Sequence, residues 1–199
     1  MTNNLETIEP KVRLLINDSE KTGTDLFTYT SSALFTLTEP NINDITSVSI
    51  NGEELGSGEY TFSSVINKLE IEEASGGTLE VDDVIEVIYT YYSNYSVNEI
   101  YAYIKSALIH ISANNFTTWT ENSGTIYPEP NDGEANLIAT VASIIINPEN
   151  ISYRLPDVSV SVPKDLPTAD KIRKAISIFK HDGAGLFFIA KDNDLDTFR

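Results

Sequence analysis

The sequence predicts an α+β fold, a small helical bundle with a sandwich-like antiparallel β module inserted in one of its connections. Three observations carry this. Ser96 to Ser112 is the clearest helix in the chain. From about Ile45 to Tyr92 the residues alternate with strand character, the period of a half-buried sheet. Past Ser112 the helical pattern returns at 134–146 and 169–180. The expected division is a helical domain from 1–29 and 93–199, ending in a docking segment, with the β module at 30–92.

Leu5 to Asn17 fits a first helix, with Thr7 placed as its cap and Pro10 tolerated in the first turn. Val12, Leu15 and Ile16 would face inward. Asp18 to Asp25 is polar, contains Gly23 and reads as the end of that element. Leu26 to Glu39 alternates loosely, as an irregular or edge strand does. Ile45, Val48 and Ile50 lead into Asn51-Gly52, a strong hairpin signal, with Tyr60-Thr61-Phe62 as the expected return. Lys68 to Glu72 alternates apolar and acidic residues, and Gly76-Gly77 turns the chain into Asp83 to Tyr92, the best-defined strand.

Ser96 and Glu99 form an S-x-x-E capping box. Behind it Val97, Ile100, Ile104, Ala107, Leu108 and Ile111 make one apolar face. Asn114 to Pro130 is a long connection holding Phe116, Trp119 and Tyr127; such loops are often functional or partner-bound. Glu134 to Ile146 is capped near Asn131 or Asp132, stopped by Asn147-Pro148, and apolar over most of its surface, so it is expected to be buried. Val158, Val160 and Val162 alternate with Ser in a short strand or arm. Thr168 is placed as the cap of a further helix, Ala169 to Lys180, whose Ile172, Ala175, Ile176 and Phe179 share a face.

Thirty acidic against 13 basic residues give a net charge of −17, which opposes tight nonspecific binding of DNA. With no cysteine there is no disulfide, Cys-ligated zinc or thiol nucleophile. The N-terminus lacks the basic and apolar regions of a secretory signal, and no apolar run spans a bilayer, so a soluble protein made in the cytoplasm is expected.

No catalytic motif stands out, and neither an enzymatic activity nor a cofactor is expected. His110 and His181 have no second ligand at metal spacing and read as structural. Asp192, Asp194 and Asp196 begin like a calcium loop, but Thr197 stands where the sixth-position glycine belongs, so a solvated acidic tail is expected. Phe116, Trp119 and Tyr127 suit a stacking platform for sugar or nucleic acid, or more commonly anchors for folding or a protein partner. Leu186, Phe187, Phe188 and Ile189 follow the glycines at 183 and 185. Four large apolar residues in a row need cover. They are expected to dock on a neighbouring protein, with packing on their own subunit as the competing reading. Together with Phe116 and Trp119 they are the candidate partner-binding residues.

Lys11-Val12-Arg13-Leu14-Leu15-Ile16-Asn17-Asp18, followed by Leu26-Phe27-Thr28, resembles the N-terminal signature of the head–tail connector (adaptor) proteins of tailed bacteriophages. The block from Val48 to Tyr92 looks like the small β modules of phage structural proteins. In the usual connector a helix follows the Phe-Thr directly; here a β segment intervenes. The resemblance implies a structural virion protein at the head–tail junction, assembled in the host cytoplasm. It would form a ring, dodecameric if matched to the portal, that joins the portal protein to a stopper or tail-tube/terminator protein. DNA would pass through its channel without specific binding, and no membrane would be involved. The rival readings are another neck, tail or baseplate subunit, a glycan-binding module using the β segment, and, ranked last, a hydrolase.

Overall fold

The computed structural model describes residues 4–72, 79–114 and 116–181. They form an α+β fold of four helices and eleven strands. The chain divides into two compact units, one running Asp18–Glu99 and the other built from the described residues on either side of it.

The β unit contains β1 (Glu20–Thr28), β2 (Leu34–Thr36), β3 (Ile42–Ile50), β4 (Glu53–Glu54), β5 (Tyr60–Ser63), β6 (Lys68–Ile71) and β7 (Val84–Tyr92). One sheet has the order β1-β7-β3-β4 and the other β2-β6-β5, and all pairings are antiparallel. Both sheets contribute to one core, so the unit is a sandwich. Ile85, Val87 and Tyr89 alternate inward from β7 and are grouped with Val48, Phe35, Leu69 and Ile71.

This unit starts at Asp18 rather than near residue 30. The polar stretch expected to end the first helix is instead β1, paired with β7 from Glu20↔Tyr92 to Thr28↔Val84. An edge strand is held by backbone bonds and tolerates charge, so polarity concealed it. Asp18 then ties the two ends of the unit together, accepting hydrogen bonds from the backbone N (3.3 Å) and Nδ2 (3.2 Å) of Asn94. Asn51 and Gly52 do form the hairpin turn, both with positive φ (53° and 86°). Their return, however, is only Glu53–Glu54, and β5 belongs to the second sheet. Between them the chain turns at Gly56, whose carbonyl accepts from Glu59 N at 3.0 Å.

The helical unit contains α1 (Asn4–Ile16), most of α2 (Val97–Ala113), β8 (Thr120–Asn122), β9 (Thr125–Tyr127), α3 (Asp132–Ile146), β10 (Ser152–Leu155), β11 (Val158–Ser161) and α4 (Thr168–His181). Helices α1 and α4 both pack on α3. Every residue of α3 from Ala135 to Ile144 is buried. Its polar members are satisfied: Thr140 Oγ1 donates to Asn136 O and Ser143 Oγ to Ala139 O, each at 2.8 Å, and Asn136 Oδ1 accepts from Lys11 Nζ of α1 at 2.7 Å. Asn131 caps α3 in a full capping box with Glu134. The faces expected on α2 (Ile100, Ile104, Ala107, Leu108, Ile111) and α4 (Ile172, Ala175, Ile176, Phe179) are buried. Thr7 does not cap α1, which begins at Asn4; its hydroxyl donates to Asn4 O at 2.9 Å. The segment 151–162 is a hairpin, with β10 paired to β11. No described helix is long and apolar enough to cross a membrane.

Gly23 lies opposite Tyr89, and a Cβ there would sit 2.6 Å from Tyr89 Cε2. Because that ring is buried, Gly23→Ala is expected to cost about 1–3 kcal/mol in urea titration. Alanine in a strand otherwise stabilises, so a gain would show that the ring yields freely.

Ser96 N donates to Glu99 Oε2 at 2.8 Å and Glu99 N donates to Ser96 Oγ at 3.3 Å. Ser96→Ala should cost about 1 kcal/mol, and Leu137→Ala, in the fully buried α3, about 2–5 kcal/mol. The Ser96 backbone and hydroxyl hold the Glu99 carboxyl below its ordinary value of 4.5. Its contribution is therefore present above pH 4.5 and lost as pH falls through the depressed value. The Ser96→Ala deficit should shrink on acidification, as urea titrations on either side of that range would record.

Candidate functional site

The aromatic connection after α2 is ordered by a hairpin and by α1. Strands β8 and β9 are joined at Ser123-Gly124, both with positive φ (51° and 85°). Asn4 of α1 pairs with the backbone of β9: Ile126 N donates to Asn4 Oδ1 at 3.1 Å and Asn4 Nδ2 donates to Ile126 O at 3.4 Å. Leu5 N adds a bond to Gly124 O at 3.3 Å. The segment expected to be a loop thus ends in a pinned hairpin, in which an amide side chain takes the bonds a further strand would make.

A groove of about 350 Å³ lies between α2 and this hairpin, lined by Lys105, Leu108, Ile109, Ser112, Thr118, Trp119 and Glu121. Leu108 and Trp119 form a buried floor. Ile109 is 71% exposed, an apolar residue off the buried stripe of α2. One edge is closed by the Lys105 Nζ–Glu121 Oε2 ion pair at 3.0 Å, while Glu121 Oε1 accepts from Gly124 N at 2.8 Å. The Gly124 N–H, then Lys105, hold the Glu121 carboxyl below its ordinary value.

Of the residues expected to meet a partner, Trp119 and Phe116 come together. Their rings stack at 6.4 Å between centroids, inclined by 30°. Lys180, near the end of α4, stands over the Phe116 ring at 5.6 Å from its centroid, and its Nζ lies 3.5 Å from Asn114 O. Trp119 is only 6% exposed, and its Nε1 is buried without a hydrogen-bond partner among the described residues. The indole therefore packs as an anchor rather than offering both faces as a platform. Leu186, Phe187, Phe188 and Ile189 lie outside the described residues, as do Asp192, Asp194, Asp196 and the His181 side chain. His110 is exposed in the last turn of α2. Among the described residues no group of three His, Cys, Asp or Glu is placed to hold a metal ion. Lys105, Ile109 and Glu121 were not singled out by sequence; the only signal was Ile109, apolar where the helix should be wet.

Glu121→Ala should cost about 1–2 kcal/mol, because it leaves the Gly124 N–H without its acceptor. Lys105→Ala should cost at most about 1 kcal/mol, since its side chain is half exposed. The coupling between the two in a double-mutant cycle should vanish as pH falls from above 4.5 through the depressed Glu121 value, read by thermal unfolding.

The sequence matches no protein-family model and no curated protein.

Proposed function

We propose that this chain is a non-enzymatic structural subunit of a tailed-phage head–tail connector, forming a ring beneath the portal that joins it to the neck or tail around a DNA channel. The observation that carries the reading is the N-terminal stretch Lys11–Asp18 followed by Leu26-Phe27-Thr28. Four of its residues have a physical task in this fold, while Leu14 and Leu26 are exposed. Val12 and Leu15 are buried in α1, Arg13 is buried against Glu9, and Asp18 fastens the start of the β unit to Asn94.

The charge distribution supports the reading. Asp18–Glu99 holds 16 acidic and 2 basic residues, a net −14 of the chain's −17, and the remaining residues hold 14 acidic and 11 basic, a net −3. A polyanionic β unit repels the phosphate backbone, which suits a protein that DNA passes without binding. The same repulsion opposes close packing of many copies at low salt, so a portal template is needed to offset it.

The test is sedimentation and negative-stain microscopy of the protein with and without the portal, at low and high salt. A dodecameric ring should appear on the portal, with no stable ring formed alone at low salt. Failure to attach to the portal under any salt condition would overturn the reading.

A further inference from the structure

Each of the two sheets in the β unit ends in two edge strands, and three of these four edges are blunted. β4, β2 and β5 run for only two, three and four residues. Past β4, the outer side of β3 is broken by two register shifts, at Ile42/Asp44 and Ile45/Ser47. β1 is different. It is the outermost strand of its sheet, nine residues long, and its register with β7 runs without a shift. The bonds around its ends fix which groups it leaves open. Tyr29 N, continuing that register, donates to Asp83 O at 2.8 Å, so Tyr29 turns its N–H toward β7. On the other side of β7, Val84 O accepts from Asn51 N at 2.8 Å and Tyr92 N donates to Asn41 O at 3.1 Å. Backbone groups alternate in direction along an antiparallel pair, so the N–H and C=O of Glu20, Thr22, Thr24, Leu26 and Thr28 point away from β7. No described strand lies on that side.

We infer that the outer edge of β1 accepts an extended, basic segment of another protein as an added strand. The edge suits backbone pairing. Thr22, Thr24 and Thr28 are exposed β-branched residues, and Leu26, 67% exposed, offers an apolar contact. The one carboxylate in mid-strand is already engaged: Asp25 Oδ2 accepts from Thr38 N at 2.7 Å and from the Tyr89 hydroxyl at 3.1 Å. Charge selects the occupant. The unit that carries β1 has a net charge of −14, so a second copy is repelled and a segment with alternate lysines or arginines is attracted. Alternation places the positive charges on one face of the added strand and leaves apolar or β-branched residues for the other, beside Leu26. This pairing does not depend on the connector reading.

The probe is a labelled peptide of alternating lysine and valine, as long as β1, added to the full chain at physiological ionic strength and followed by fluorescence anisotropy. It should bind, and hydrogen exchange should show new protection at the amides of Thr22, Thr24, Leu26 and Thr28. The amides of Gly23, Asp25 and Phe27, already turned to β7, should change little. Thr24→Pro removes one outward N–H and no bond to β7, so the β unit should stay folded while the peptide binds at least about 10-fold more weakly. The same peptide N-methylated at two adjacent central residues keeps its charge but has both edges blocked, and it should lose as much. An alternating glutamate–valine peptide should not bind. No binding of the lysine peptide, equal binding of its methylated form, or protection that does not follow the alternate amides would overturn the inference. Equal binding of the glutamate peptide would overturn the basic occupant. So would a dimer of the protein alone, seen in sedimentation and abolished by Thr24→Pro, because the edge would then belong to a second copy. If Thr24→Pro unfolds, the methylated peptide and the amide pattern decide. All these measurements are made without a portal, so failure to attach to one leaves them unaffected.

Discussion

The helical unit depends on burying α3 on all its faces. A helix with a single apolar stripe needs one neighbour, whereas ten consecutive buried residues, Ala135 to Ile144, need cover all round. α1 and α4 supply two sides of that cover. The constraint also explains the chemistry of the helix. Its polar residues are short or amidic, and each turns its hydrogen bonds to α3's own carbonyls or to Lys11. A buried hydroxyl without such a partner costs about 1–3 kcal/mol, which no single helix contact readily offsets. Its first turn is closed by Asn131 and Glu134 rather than left to solvent.

The two units use different means to the same end. In the β unit, two sheets close over one core, and the most constrained contact is a ring against a missing side chain. Tyr89 lies over Gly23, donates to Asp25 Oδ2 at 3.1 Å and is 1% exposed; burial, its largest cause, raises its hydroxyl to about 12. In the helical unit, side chains complete the backbone bonding of short hairpins. Asn4 does this for β9, and Glu121 does it for the turn between β8 and β9. The groove exists because that hairpin is pinned from α1 while α2 turns Leu108 toward it and leaves Ile109 outside.

Much of the fold was legible in the residues. The capping box at Ser96, a cap near Asn131 or Asp132 on α3, the apolar faces of α2 and α4, and the alternation of Asp83 to Tyr92 each followed from a local rule. What escaped the sequence depended on partners distant along the chain. β1 is polar because it is an edge, so its strand character appears only in its register with β7. Gly23 reads as a terminator until Tyr89 is seen across from it. Tyr60 to Phe62 alternates correctly for a return strand, yet the turn at Gly56 sends it to another sheet. Of the site, Trp119 and Phe116 stood out as aromatics in a long connection. The ion pair of Lys105 with Glu121 did not, because ordinary surface charges gain meaning only from a fold that sets them 3.0 Å apart.

Native-state hydrogen exchange tests the central role of α3 most directly. If burial on every face makes α3 the axis of its unit, the amides from Ala135 to Ile144 should exchange only through global opening of the helical unit, more slowly than those of α2 and α4. The β unit should show its own plateau, set by β7. Exchange from α3 that is faster than from α2 would contradict the account, and would make α2 the helix on which the unit depends.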